Sequence, residues 1–221
     1  MKNDKPVIIF GLGDFAKLVQ YYLKLDNQYK IACFTADREY IKEAEMCGVP
    51  TCPFDEIEKG FPPEKYDMFI AIGYSKMNKV RAEKYCLAKR KGYKLVTYIS
   101  PAAIYHGDEI GENCLILDNI VVHPFVKIGN NVIMIGGGVV GHDSIIGDHC
   151  FLSCPKIAGR VTVKPYCFLG FNSIIVDNLL IERECFIGAG AIINKNTVEN
   201  GVYAASAAKL RRIDSKQILI R

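Results

Sequence analysis

The chain has 221 residues, 24% of them charged, and a net charge of +4. So small an excess, scattered among Asp and Glu, lacks the concentrated basic stripe of a nucleic-acid binder. No apolar run is long enough to cross a bilayer, and residues 1–6 lead directly into a short strand in place of a signal-peptide core, so a cytoplasmic protein is expected. The nine cysteines are odd in number and contain no C-x-x-C pair, which favours free thiols over a disulfide framework or a zinc site.

Residues 1–103 alternate short apolar runs with amphipathic stretches. Strands are predicted at Val7–Phe10, Ile31–Phe34, Met68–Ile72 and Leu95–Ile99, and helices near 14–25, 39–46 and 76–91. This is the grammar of an α/β parallel sheet. Gly11-Leu12-Gly13-Asp14-Phe15-Ala16 follows the first strand as G-x-G-x-x-[GA], with Asp14 at the expected helix cap. In that context backbone N–H groups and a helix N-terminus can hold a phosphate. Asp37, beyond the second strand, stands where an acid meets a ribose hydroxyl in dinucleotide-binding folds. Only about 100 residues are available, enough for one mononucleotide-binding half. The alternative is a plain tight βα turn with Asp37 a solvated carboxylate.

From Ile104 the helical period vanishes and an aliphatic residue returns every sixth position. The series runs Ile110, Ile116, Val122, Ile128, Met134, Val140, Ile146, Leu152; after one step of five it resumes at Ile157 and continues to Ile193. The fourth residue after each is usually small or β-branched, as at Cys114, Ser144, Cys150, Cys167 and Cys185, which makes these cysteines core fillers. Glycine often follows the aliphatic residue directly (Gly111, Gly129, Gly147, Gly170, Gly188), where a tight corner is expected to need it. Each hexad is one short strand and one corner; three make a triangular coil, about five coils in all.

These hexads resemble the left-handed β-helix acyltransferases. With the α/β half before them, the chain is similar to the sugar acyltransferases related to sialic-acid O-acetyltransferase and the nucleotide-amino-sugar N-acyltransferases. The resemblance implies an α/β Rossmann-like half domain (1–103), an all-β left-handed parallel β-helix (104–198) and a C-terminal tail at the coenzyme A site (199–221). It also implies that the glycine loop cradles the nucleotide of a sugar nucleotide, with further contacts from Ala71-Ile72-Gly73-Tyr74. Gly11, Gly13, Asp14, Phe15, Asp37, Gly73 and Tyr74 are thereby substrate-binding candidates.

Acyl transfer from a thioester needs a base beside the nucleophile and donors for the oxyanion. His142-Asp143-Ser144-Ile145-Ile146-Gly147 matches the family context His-[Asp/Glu]-x-x-Ile-Gly, which implies His142 as general base and Asp143 as its orienter. Gly159 would offer its amide to the thioester oxygen. Of the other histidines, His149 is expected at the surface, and His106 and His123 have no evident partner. Some relatives carry auxiliary histidines where this chain has Val139 and Phe151, and the 152–157 hexad is one residue short.

For acyl-coenzyme A the resemblance implies Gly188, Ala189 and Gly190 along a seam between two β-helices of a homotrimer, with Lys209, Arg211 and Arg212 toward the phosphates. Ala205 and Ala207 replace the usual Gly and Pro of the C-terminal signature. The implied activity is acylation of the amino group of a nucleotide-linked deoxyamino sugar, without a metal, for surface glycan synthesis. Three alternatives stay open: O-acetylation of a sialic-acid-like sugar, a non-catalytic sugar-nucleotide-binding protein, and a zinc hydratase recruiting His123, His142 and His149.

Overall fold

The computed structural model describes residues 5–25 and 29–208. The N-terminal unit opens with β1 (Val7–Phe10), α1 (Asp14–Leu25) and β2 (Ile31–Ala36). It continues through β3 (Glu45–Met46), β4 (Val49–Pro53), α2 (Ile57–Gly60), β5 (Asp67–Ile70) and α3 (Lys79–Arg90). Sheet order is β3-β4-β2-β1-β5, parallel except for the β3–β4 hairpin. The chain therefore reverses direction of sheet growth at β1, and the segments after β1, β2 and β5 meet at one edge, the usual ligand crevice of such sheets.

The helix expected near 39–46 is absent. A single 3-10 turn at Arg38–Tyr40 is followed by the hairpin, whose two-residue turn Cys47–Gly48 has φ of 51° and 78°. Two successive positive φ values give the twist that antiparallel strands require, and this turn chemistry outweighs the local helical pattern. The run Leu95–Ile99 is also divided. Leu95 bridges Met68 of the α/β sheet, while Tyr98–Ile99 pairs with Leu115–Ile116 in the next unit.

The remainder winds as a left-handed parallel β-helix with three faces of six, five and seven strands. The first face climbs through Ile104–Tyr105, Val121–Val122, Val139–Val140, Lys156–Ile157, Ile174–Ile175 and Ile192–Ile193. The second holds Glu109–Ile110, Lys127–Ile128, Ile145–Ile146, Thr162–Val163 and Leu180–Ile181. The third begins at Tyr98–Ile99 and passes Leu115–Ile116, Ile133–Ile135, Phe151–Ser153, Phe168–Leu169, Phe186–Ile187 and Val202–Tyr203. The periodic aliphatic residues from Ile116 to Ile193 point inward and are buried, as are Cys114, Cys150, Cys167 and Cys185. Each such aliphatic side chain contributes about 1.5–3 kcal/mol through removal from water.

The corners follow a different rule from the expected one. Positive φ falls three residues after the aliphatic position, at Asn113, Asn119, Phe125, Asn131, Gly137, Asp143 and His149, and again from Arg160 to Gly190. The post-aliphatic glycines are not in that region. They are required by stacking: a Cβ on Gly111 would lie 2.7 Å from the Gly129 backbone, and one on Gly129 would lie 2.3 Å from Asp148 Oδ1. The five-residue step moves one corner to Cys154 (φ 53°), directly before Pro155.

The α/β unit sits on the outer side of the third face. Leu115, Ile133, Phe151 and Phe168 share one apolar cluster with Val7, Val19, Phe34 and Phe69. Phe151 stacks on Phe168 at 5.8 Å and meets Phe15 at 6.2 Å, so it is part of the apolar contact between the two units. At the corner between faces two and three, Ile70 N–H donates to Asn113 Oδ1 (2.7 Å), and Asn113 in turn donates to Asn131 (2.8 Å).

Candidate active site

His142 and Asp143 occupy the corner between faces one and two, after Val139–Val140. Asp143 adopts φ 56°, which Asp tolerates better than most residues. His142 Nδ1 lies 2.7 Å from Asp143 Oδ2, and both side chains are about half exposed. With Nδ1 engaged by the carboxylate, Nε2 is the ring nitrogen facing solvent as a proton acceptor. Gly159 lies one coil away beneath the ring: a Cβ there would be 2.7 Å from His142 Nε2. The His142 carbonyl accepts from Arg160 N–H at 2.8 Å, which fixes the two coils in register.

His149 departs from its expected surface position. It is 9% exposed, at the corner between faces two and three, with Nδ1 2.8 Å from Asn131 Nδ2 and its ring against Tyr85 and Tyr166. Since the Asn131 amide donates to Nδ1, the proton resides on Nε2. Burial, opposed by Asp148 and reinforced by the Arg81 charge, lowers its pKa to about 4. His142 and His149 sit at different corners of the chain, and Tyr85 and Tyr166 enclose His149 away from the exposed first face. Among the described residues no cluster of three His, Cys, Asp or Glu side chains could hold a metal.

The glycine-loop candidates gather at the C-terminal edge of the α/β sheet. Gly11 has φ 133° and a Cβ there would meet Ala71 O at 2.6 Å, so both conformation and space exclude a side chain. Gly13 O accepts from Ala16 N–H and Lys17 N–H, making Gly13 the cap and Asp14 the first helical residue. Asp14 is fully exposed beside Lys17 at 3.4 Å. Asp37 pairs with Lys84 at 2.7 Å, so the acid expected on a ribose already holds a cation. A cleft beside the loop is lined by Leu12, Lys17, Tyr40, Lys42, Glu45 and Thr51. Tyr40 and Lys42 reach this cleft from an irregular segment whose sequence has a helical pattern.

Gly73 and Tyr74 follow β5. Tyr74 is 54% exposed and rests on Phe151 (5.2 Å) and Phe168 (4.7 Å). Lys76, Met77 and Asn78 then take φ of 49°, 52° and 64°, three consecutive left-handed non-glycine residues. Each costs roughly 1–2 kcal/mol relative to the right-handed conformation. Beyond them Arg81 is 0% exposed, and no carboxylate among the described residues pairs with it. Burial pulls its guanidinium down to about 10, so it remains charged at neutral pH.

The coenzyme candidates lie at yet another corner, between faces three and one. Gly188 N–H donates to Tyr203 O (2.7 Å), while Ala189 and Gly190 are exposed, Gly190 with φ 68°. Lys209, Arg211 and Arg212 lie outside the described residues. Face one, which separates this corner from His142, is apolar and uncovered: Ile104, Ile174 and Ile192 are 55%, 42% and 64% exposed. Within one chain, then, the three candidate groups are not brought together. The α/β unit covers face three, and His142 stands at the opposite edge of the triangle.

Residues 6–88 match the family described as the PglD N-terminal domain. Among solved structures, PerB from Caulobacter crescentus, in complex with CoA and GDP-perosamine, is 24% identical with a TM-score of 0.79, covering 90% of this chain and 94% of that one. The shared fold is an α/β unit followed by a left-handed parallel β-helix. The acetyltransferase domain of PglB from Neisseria gonorrhoeae FA1090, in complex with acetyl coenzyme A, is 19% identical with a TM-score of 0.76, covering 88% and 93%. Of curated relatives, 2,3,4,5-tetrahydropyridine-2,6-dicarboxylate N-succinyltransferase from Chelativorans sp. (strain BNC1) is 24% identical over 72% of this chain and 56% of its own length. The chain spans about half the length of the curated relatives it matches.

Proposed function

We propose that the chain is an acyl-CoA-dependent N-acyltransferase acting on a nucleotide-linked deoxyamino sugar. The observation that carries this is the His142–Asp143 pair, 2.7 Å apart at an exposed corner, with a side-chain-free residue packed under the ring. Similarity over nearly the whole chain to PerB, solved with CoA and GDP-perosamine, supports the choice of co-substrates. In the proposed reaction His142 Nε2 takes a proton from the sugar amine as its nitrogen bonds to the thioester carbonyl carbon. Asp143 accepts the Nδ1–H bond and stabilises the imidazolium. The Gly159 N–H stabilises the oxyanion. Collapse breaks the C–S bond, and the imidazolium returns the proton to the departing thiolate.

The reading requires a homotrimer. Three chains related by a three-fold axis would bury the apolar first face and bring the His142 corner of one protomer against the Gly188–Gly190 corner and α/β crevice of a neighbour. Gly11, Gly13, Asp14, Phe15, Gly73 and Tyr74 would then hold the sugar nucleotide, and Asp37 would orient it through Lys84. All nine cysteines are free, which fits a reducing cytoplasm, where activated sugars for surface glycans are made.

Product mass spectrometry after incubation with mixed acyl-CoAs and mixed nucleotide amino sugars tests the reading. An added acyl mass on the amine is expected, and is lost in His142→Ala. Acylation confined to hydroxyls of a sialic-acid-type sugar would favour the O-transfer alternative, and binding without turnover would leave a sugar-nucleotide-binding protein.

A further inference from the structure

The Gly73–Asn78 loop runs through three successive left-handed residues, and a single buried guanidinium holds both ends of it. Arg81 Nη1 donates to Gly73 O (2.8 Å), Ile72 O (3.5 Å) and Asn78 Oδ1 (3.1 Å). Its Nη2 donates to the carbonyls of Asn131 (3.3 Å), His149 (3.0 Å) and Cys150 (3.1 Å). Asn78, itself 0% exposed, sends Nδ2 to Tyr166 O (3.3 Å) and Cys167 O (3.1 Å). A charged group buried without a carboxylate is a poor stabiliser, and an apolar side chain could fill the same volume. Its geometry does something an apolar residue could not. It ties a strained loop to successive coils of the β-helix at fixed distances.

The carbonyls on His149 and Cys150 end the short segment that begins at His142 and crosses the second face through Ile145–Ile146. The loop is thus registered at the height of its own His142 coil, and a three-fold axis along the β-helix sets the neighbour's candidate base at that same height. We propose that Arg81 and Asn78 form a latch that positions the Gly73–Tyr74 segment to receive the acceptor, with Tyr74 offered as its contact surface. Arg81 is a positioning residue that does not touch the acceptor. The proposal rests on the functional reading above.

The test uses the full-length assembly with Arg81→Lys, Arg81→Met and Asn78→Gly, the last of which keeps the left-handed backbone and removes only the latch side chain. In folded variants the acceptor KM is expected to rise at least tenfold, with kcat within threefold and the acyl-CoA KM within twofold. Hydrogen exchange of peptides covering 71–80 should accelerate while those covering 145–170 stay protected, with Arg81→Lys milder than Arg81→Met. Two results overturn the latch: acceptor KM and loop protection both unchanged in Asn78→Gly and Arg81→Lys, or both substrates' KM values rising together with general loss of protection. A wild-type chain inactive on every nucleotide amino sugar sinks the functional reading alone, because loop exchange is measured without substrate.

Discussion

Replacing Gly159 by alanine isolates the geometry of the base from its chemistry. The new methyl would stand 2.7 Å from His142 Nε2, 2.9 Å from Cε1 and 3.2 Å from Cδ2. An ordinary contact needs about 3.5 Å, so the ring must swing outward by roughly 0.8 Å or more. It is half exposed and free to do so, at the expense of its 2.7 Å contact with Asp143. A misplacement near 1 Å at a reacting group costs about 10²-fold in rate. Gly159→Ala is therefore expected to lower kcat about 100-fold while the melting temperature changes by less than about 4 °C, roughly 1 kcal/mol for a chain of this size. Alanine keeps the backbone N–H, so a pure oxyanion-donor role for Gly159 predicts nearly normal turnover. Steady-state kinetics on the assembled enzyme, beside His142→Ala, decides the matter. Wild-type kcat within twofold would refute the argument that ring position at this corner governs the reaction.

His149 sets an acid limit on stability. Its folded pKa of about 4 lies below the usual histidine value, so between roughly pH 6.5 and 4 the unfolded chain takes up a proton that the folded chain refuses, and stability falls as pH falls. About 3 kcal/mol should be lost across that window in urea melts, and His149→Gln should flatten the dependence. Ile174→Glu puts a charge on the uncovered first face. It should convert the assembly to monomers in light scattering and abolish turnover, with the monomer's circular dichroism unchanged. Gly129→Ala forces a methyl to within 2.3 Å of Asp148 Oδ1 and should destabilise the coils by about 1–3 kcal/mol, read as a lower melting temperature.

The hexads made the β-helix legible because their signal is long, and every inward position repeats one physical demand. Inward Ile and Val at every sixth residue could not be mistaken for a helical stripe. Corners were harder. Sequence placed the conformational demand on the glycines after each aliphatic residue, but the left-handed residues are a mixed set in which Asn is the commonest, and those glycines serve the close passage of one coil over the next. His142–Asp143 was readable because both partners are adjacent in sequence. His149 carries the same residue types in a similar corner. Only the folded chain shows that α3 and Tyr166 enclose it. Arg81 left no trace in the pattern, since its acceptors are backbone carbonyls that any sequence would supply. The β3–β4 hairpin is hidden in the sequence because its turn begins with Cys47, a residue with no turn preference, at φ 51°.

The division of candidate groups among separate edges of the triangular helix carries a genetic consequence. In the proposed trimer, a base contributed by one subunit and an acceptor crevice contributed by its neighbour would make each working seam the product of two polypeptides. In a cell expressing two alleles, one defective at His142 and one at Gly11, random mixing would still pair an intact base with an intact crevice at some seams. Two inactive alleles would complement each other.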